Sequence, residues 1–215
     1  MLSIISYFFA DVKFLLSDLL FLYRIGFMRT KKKINLDKPI VMVGLMGAGK
    51  TSIGRALARN LGIPFVDTDK EIEKAAGCSV VDIFSLYGEQ EFRRVEEKII
   101  ERIIDTPPLI KVISTGEGAF ITKSVRQTVL GRALSIWLKA DLELLVKRTN
   151  FRHTRPQLLN TDSRQILAQL IGERYDTYAM ADIMVETRDE NIHKTLNKVL
   201  TAIEQHNNKT KGDQK

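Results

Sequence analysis

Short apolar runs alternate with amphipathic stretches along most of this chain. The first run, Ile40–Val43, is β-branched and follows Pro39, and a helical pattern then extends from Lys50 to Asn60. Further strand-like runs are found at positions 65–67, 109–113, 134–138 and 182–186. Patterns with helical periodicity cover positions 69–101, 142–148 and a C-terminal stretch to about Gln205, with breaks in the first of them at Gly77 and Gly88. Strands that alternate with helices predict a three-layer α/β/α fold around a five-stranded parallel sheet.

Residues 1–27 form an apolar arm of a different composition, apolar at 19 of 27 positions but interrupted by Asp11, Lys13 and Asp18. A membrane span needs about 20 mainly apolar residues, and each charge at its centre costs roughly 2.5–3.5 kcal/mol, so a clean span is disfavoured. One interpretation is an interfacial or loosely packed helix with weak membrane association. Another is a start-site artefact, with Met28 as the true start, and a genuine anchor is the third.

These patterns divide the chain into an apolar, then basic arm at 1–33, a folded domain at 34–205 and a polar tail at 206–215 that we expect to be disordered. The net charge of +7 includes +4 from the arm alone. Nucleic-acid binding depends on clustered basic residues, which the domain lacks, so we expect no nucleic-acid partner. The single cysteine, Cys78, cannot form an intrachain disulfide. This agrees with a reducing compartment. We expect a cytoplasmic monomer without an obligate protein partner.

The segment Gly44–Thr51 matches the phosphate-binding pattern G-x-x-x-x-G-K-[ST] and lies between a predicted strand and a predicted helix. Backbone N–H groups of such a loop wrap the phosphates, Lys50 reaches the β- and γ-phosphates, and Thr51 offers its hydroxyl to Mg²⁺. The sequence therefore predicts a P-loop protein that binds ATP or GTP.

Two carboxylates favour a small-molecule kinase among the P-loop proteins. GTPases normally carry a base-reading N/T-K-x-D segment after a later strand, and no predicted strand of this chain is followed by one. An apolar strand ending in Asp-Glu, which motor ATPases carry, is also absent from the sequence. Asp67 and Asp69 end the second predicted strand, on the same sheet edge as the phosphate loop. One can hold the metal through water while the other orients the attacking hydroxyl. Alternatively, both residues only cap the following helix.

The chain resembles the shikimate kinases from about Ile40 to Ile203. The resemblance rests on motifs whose order and spacing agree with that family: Gly44–Thr51 with Ile53-Gly-Arg55, Phe65–Asp69, Gly88–Glu96, Ser114–Ala119, Thr154-Arg-Pro156 and Glu173-Arg-Tyr175. It implies a P-loop domain with a mobile lid at about 150–162 and a helical substrate-binding segment. The implied reaction is transfer of the ATP γ-phosphate to the 3-hydroxyl of shikimate, with Mg²⁺, in the route to chorismate and the aromatic amino acids.

The resemblance also implies roles for individual residues. Lys50, Asp69 and Arg155 are the expected catalytic residues, with Asp69 accepting the proton and Arg155 closing from the lid. Thr51 and Asp67 are the expected metal residues. The expected ATP-binding residues are Gly47, Ala48, Gly49, Lys50, Thr51, Ser52, Arg148, Arg155 and Arg188. The expected substrate-binding residues are Asp69, Arg93, Gly116, Glu117, Gly118 and Arg174, with Glu96 holding Arg93 in place.

Glu117 departs from the family pattern, which has a third glycine between Gly116 and Gly118. A carboxylate directed at the substrate's own carboxylate would oppose binding, so we expect Glu117 to pair with Arg93 or Arg174. A second departure, Gln157 after Arg155-Pro156, is mild.

Two other functions remain possible from the sequence. One is a kinase of similar fold that acts on another small hydroxylated acid or sugar acid. The other is an ATP-binding regulatory or chaperone-like module that has lost turnover and is tethered to a membrane by residues 1–27.

Overall fold

The structure is a computed structural model that describes residues 34–150 and 163–212. Within these residues five strands form one sheet: β1 Ile40–Val43, β2 Phe65–Asp67, β3 Val112–Ser114, β4 Leu134–Ala140 and β5 Ile183–Thr187. The strand order is β2-β3-β1-β4-β5, and every neighbouring pair is parallel. The predicted α/β fold with a five-stranded parallel sheet is confirmed.

Helices connect the strands. Their bounds are α1 Lys50–Leu61, α2 Thr68–Ala76, α3 Val80–Asp105, α4 Lys123–Arg132, α5 Leu142–Asn150, α6 Ser163–Tyr178 and α7 Ile192–Gly212, with a 3₁₀ turn at Ala119–Ile121. The predicted breaks are present: Gly77 follows the last residue of α2, and Gly88 has a non-helical backbone within α3.

The core of the domain is centred on β1, in which all four residues are fully buried. A parallel strand with a neighbour on each side and helices on both faces has no solvent-exposed side, which is why its sequence is apolar without alternation. Trp137 in β4 is also buried, as expected for a core residue.

The third strand differs from the prediction, beginning at Val112 instead of Leu109. Lys111 is buried and its ammonium donates to the carbonyl oxygens of Ile103 at 2.6 Å and Thr106 at 2.5 Å. The residues before Val112 therefore close the C-terminal end of α3, where its last carbonyls need donors, and do not extend the sheet.

The helix α7 extends to Gly212, beyond the predicted end near Gln205. Polar contacts explain part of this difference, since the Asn207 side chain donates to the carbonyl of Asn35 at 2.8 Å. The sequence analysis did not predict α4 and α6, whose apolar residues form only a weak stripe.

All five strands run in the same direction, so their carboxyl ends meet at one edge of the sheet, where ligands of open α/β sheets bind. No helix within residues 34–150 and 163–212 is long and apolar enough to cross a membrane. The predictions for the arm at 1–33 and the lid, with Arg155, lie outside the described residues.

Candidate active site

The phosphate loop leaves β1 and turns into α1 through glycines that no other residue replaces easily. Gly44 has φ +134°, and a Cβ there would lie 2.8 Å from the backbone oxygen of Leu138. Gly49, at φ +101°, directly precedes the first residue of α1. The first N–H groups of this helix have no partner within it, so they are available to bind an anion in the loop.

Lys50 lies over this loop. Its side chain is largely buried, and its ammonium donates to the carbonyl oxygens of Gly44 at 2.7 Å and Leu45 at 3.0 Å. These bonds hold the ammonium close to the position where the phosphates of a nucleotide would lie.

Thr51 and Asp67 come together although 16 positions separate them in the sequence. The Thr51 hydroxyl donates to Asp67 Oδ2 at 3.1 Å and lies 3.2 Å from the Ser114 hydroxyl, so the ends of β2 and β3 both meet the start of α1. Oxygen donors of this kind suit Mg²⁺. No group of three or more His, Cys, Asp or Glu side chains in the described part of the chain could hold a metal. Mg²⁺ in nucleotide sites usually keeps several waters and binds substrate phosphates beside one or two protein ligands.

A cavity of about 490 Å³ connects the phosphate loop with both aspartates. Its lining includes Lys50, Thr51, Asp67 and Asp69, and it continues along the sheet edge past Arg148. Asp69 lies in the first turn of α2, so it follows Asp67 closely yet projects from a helix instead of a strand. Both aspartates therefore line one cavity, from the end of β2 and from the first turn of α2.

The loop 116–118 follows β3, and each of its residues faces a different charged group. A Cβ on Gly116 would lie 2.8 Å from Glu96 Oε1 and 2.9 Å from Asp69 Oδ1. The N–H of Gly116 donates to the Thr68 hydroxyl at 3.2 Å, which ties the loop to the start of α2. Because these two carboxylates converge on its Cα, position 116 has no room for a side chain.

Arg93 lies over Gly118, where a Cβ would be only 2.3 Å from a guanidinium nitrogen. Its guanidinium donates to Glu96 at 2.7 Å and to Glu89 at 3.2 Å. Glu96 is fully buried, and burial raises its pKa, with the nearby Asp69 and Glu117 carboxylates adding to the effect and Arg93 opposing it. The hydrogen bond from Arg93 to Glu96 therefore provides the contact that the sequence analysis expected between these two residues.

Glu117 pairs with Arg174, one of the two partners expected from the sequence. Its carboxylate lies 3.9 Å from the Arg174 guanidinium, and the two side chains are only 12% and 20% exposed. Arg174 and Arg93 thus approach the loop 116–118 from α6 and α3 respectively. The sequence analysis did not identify Tyr178, whose hydroxyl donates to the Glu117 carbonyl.

The other end of the cavity is formed by Arg148 and by the loop after β5. The Arg148 guanidinium donates to the carbonyl of Gly47 at 3.3 Å and to that of Arg188 at 3.0 Å. The Arg188 side chain itself is exposed beside Glu186 and is not part of the cavity lining. Residues that the sequence analysis did not select also line this end: Glu190, Ile192 and Thr195.

These features together define a P-loop kinase of small molecules. The phosphate-binding loop lies near a hydroxyl and a carboxylate that suit Mg²⁺, and a second carboxylate faces a loop lined by arginines. Comparison with known proteins gives the particular family. The family model described as shikimate kinase matches residues 46–204.

Individual relatives agree with this match. The chain is 44% identical over 170 residues to a shikimate kinase from Mesorhizobium japonicum, covering 79% of this chain and 83% of the relative. It is 46% identical over 168 residues to one from Paramagnetospirillum magneticum, covering 78% and 85%. The structure matches a shikimate kinase from Acinetobacter baumannii in complex with shikimate with a TM-score of 0.75 at 32% identity, covering 81% and 97%.

This chain belongs to the shikimate kinase family. The family resemblance and the enzyme class expected from the sequence are confirmed. A gluconokinase from Sinorhizobium meliloti, at 15% identity and a TM-score of 0.51, shares the fold alone.

Proposed function

We propose that this chain transfers the γ-phosphate of ATP to the 3-hydroxyl of shikimate, giving shikimate 3-phosphate and ADP. ATP-dependent phosphorylation of shikimate is the activity of the family to which the chain belongs. The observation that carries the assignment to this site is the loop 116–118, which has Asp69 at one end and Arg93 at the other. A hydroxylated acid bound there presents its carboxylate to arginine and a hydroxyl to Asp69.

Two arginines suit a carboxylate ligand because each guanidinium is planar and always charged and can form paired hydrogen bonds. Arg93 and Arg174 approach the loop from two different helices, α3 and α6, and we assign the substrate carboxylate to both of them. Asp69 then orients the attacking hydroxyl and accepts its proton. Lys50 stabilises the negative charge that develops on the phosphates.

Mg²⁺ fits the site through its oxygen donors. Thr51 would bind the metal directly, Asp67 would hold it through water, and Ser114 adds a hydroxyl beside them. When bound, the metal neutralises charge on the β- and γ-phosphates. The residues Gly47 to Ser52 would hold the phosphates, and Arg148 would flank the base, with the Arg188 backbone supporting it. Arg155 belongs to this proposal on the family motif alone.

We further propose that the enzyme acts in the cytoplasm as a monomer. Every residue that we assign to the site comes from this one chain, and its single cysteine agrees with a reducing compartment.

Release of ADP in a coupled assay tests the function. Wild-type protein with Mg²⁺ and ATP should release ADP with shikimate and far less with gluconate or quinate. The variant Lys50→Ala should abolish this release. Turnover of gluconate or quinate above that of shikimate would favour a kinase of another acid, whereas ATP binding without turnover of any of the three would favour a regulatory module.

A further inference from the structure

Tyr178 is the last residue of α6 and is completely buried, although it carries a polar hydroxyl. It lies four positions after Arg174, so both side chains project from the same face of the helix. Buried tyrosines normally place their hydroxyl on a specific partner, because a lost hydrogen bond is costly in the protein interior.

The partner of Tyr178 is the backbone of the loop 116–118. Its hydroxyl donates to the carbonyl oxygen of Glu117 at 2.5 Å. Burial raises the pKa of Tyr178, with Arg174 lowering and Glu117 raising it to lesser degrees, so the hydroxyl remains a donor at every pH suited to an assay. The bond joins α6, which carries Arg174, to the loop that lies against Arg93.

The hydrogen bond to the Glu117 carbonyl fixes the orientation of the peptide unit between Glu117 and Gly118. In a trans peptide the carbonyl oxygen of one residue and the N–H of the next point in opposite directions. By holding the Glu117 carbonyl, Tyr178 directs the N–H of Gly118 to the opposite side of the loop. The Arg174 guanidinium, one turn earlier in α6, lies 3.9 Å from the Glu117 carboxylate, so this helix approaches both the backbone and the side chain of Glu117.

We propose that Tyr178 is a positioning residue for the substrate carboxylate. Its hydroxyl fixes the loop 116–118 relative to Arg174, so that the loop backbone and the arginine present their donors to one carboxylate together. This inference rests on the proposed function. Tyr178 does not line the cavity that holds Lys50 and Asp69, so we expect it to act on the affinity for shikimate and not on ATP binding.

The chain offers a matched control in Tyr175. Both tyrosines pack against Trp137, with ring centroids 5.0 Å away for Tyr175 and 6.0 Å for Tyr178. The Tyr175 hydroxyl also donates to a backbone carbonyl, that of Ala140 at the end of β4, and burial raises its pKa to about 12. Phenylalanine at either position removes one buried hydroxyl and keeps the ring. Only Tyr178→Phe removes a hydrogen bond to the loop 116–118.

The test compares Tyr178→Phe with Tyr175→Phe in the full chain. From the usual net value of one hydrogen bond, Tyr178→Phe should raise KM for shikimate about fivefold to tenfold and leave KM for ATP within about twofold. The control variant should leave both constants within about twofold. Direct titration with shikimate and with its methyl ester, which lacks the charged carboxylate, supplies a second readout. Tyr178→Phe should weaken binding of shikimate and leave the weaker binding of the ester unchanged.

Three results would overturn the proposal: equal effects of both variants on KM for shikimate, an equal rise in KM for ATP, or an equal loss of affinity for shikimate and its ester. Melting temperatures of both variants control for stability, because an equal fall in both cannot explain a difference in their KM for shikimate. Wild-type protein that does not phosphorylate shikimate would contradict the proposed function, whereas active wild-type protein with an unchanged Tyr178→Phe variant would contradict this inference alone.

Discussion

The Glu117 carboxylate lies 3.9 Å from the Arg174 guanidinium, and both side chains are mostly buried. The glutamate stands where the family pattern has a glycine, so this chain supplies a carboxylate of its own to an arginine that we assign to the substrate. At this distance the pair is an ion pair without a direct hydrogen bond, so the attraction between the two side chains is electrostatic. The pair reduces the attraction of the Arg174 guanidinium for a second carboxylate.

Substitution of Glu117 should therefore improve substrate affinity. Glu117→Gly and Glu117→Gln both remove the competing charge, and KM for shikimate should fall about threefold to tenfold, equivalent to roughly 1 kcal/mol. KM for ATP should stay within about twofold, because Lys50 and the phosphate loop bind the nucleotide separately. Steady-state kinetics on both substrates measure these constants.

Glu173→Gln is a suitable control for this prediction. Glu173 precedes Arg174 in α6, but its carboxylate is exposed and accepts a hydrogen bond from Gln169 at 2.6 Å. Removal of this charge should leave KM for shikimate unchanged. Similar effects of the Glu117 and Glu173 substitutions would mean that only net charge matters and that Glu117 does not compete at Arg174.

Asp69→Asn should leave ATP binding nearly unchanged and lower kcat by about 10²- to 10⁴-fold, the usual contribution of a group that accepts a proton in the transition state. The substitution preserves the shape of the side chain, so the packing against Gly116 is retained. Titration of a fluorescent ATP analogue and steady-state kinetics separate the two effects. A kcat near the wild-type value would remove Asp69 from the mechanism.

The buried Glu96 should make stability depend on pH. Because its pKa is raised in the folded protein, mainly by burial, the native state keeps this proton at pH values where the unfolded chain has lost it. The stabilising contribution of Glu96 is therefore complete below its ordinary pKa of 4.5 and declines as pH rises through the raised value. Wild-type protein should lose free energy of unfolding relative to Glu96→Gln over this range.

Urea unfolding of both proteins at a series of pH values, from about 4.5 to 8, measures this difference. Glu91→Gln is the control, since Glu91 is an exposed residue of α3 whose carboxylate lies 3.5 Å from Arg94. A constant difference in free energy of unfolding between wild-type protein and Glu96→Gln at all pH values would show that Glu96 does not titrate with a raised pKa.

KM for shikimate should also rise in Glu96→Gln, because Arg93 loses its charged partner.

A chain that starts at Met28 should fold and phosphorylate shikimate at the wild-type rate. The family model begins at residue 46, and the described domain begins at residue 34, both after this position. Activity and melting temperature of the truncated protein check the prediction, and N-terminal sequencing of the native protein tests Met28 as a start. An insoluble or inactive truncated protein would show that residues 1–27 pack on the domain.

The phosphate loop could be predicted from sequence because its determinants are local. Gly44, Gly49 and Lys50 lie within one strand-loop-helix unit, and the chemistry of a phosphate ligand requires these residue types at this spacing. Alternation of strands with helices likewise predicted the fold class and the sheet. Neighbouring residues in the chain decide such features, so the sequence alone determined them.

The tertiary structure decided which distant residues meet. No local pattern indicates that β1 lies between β3 and β4, that the Ser114 hydroxyl lies near Thr51, or that Lys111 closes α3 instead of extending a strand. Sequence reasoning left Arg93 and Arg174 as equal candidates for the ion pair with Glu117. The packing of α6 beside the loop 116–118 selected Arg174. The burial and the raised pKa of Glu96 arise only when separate elements pack together, because both depend on how much water the neighbouring elements exclude.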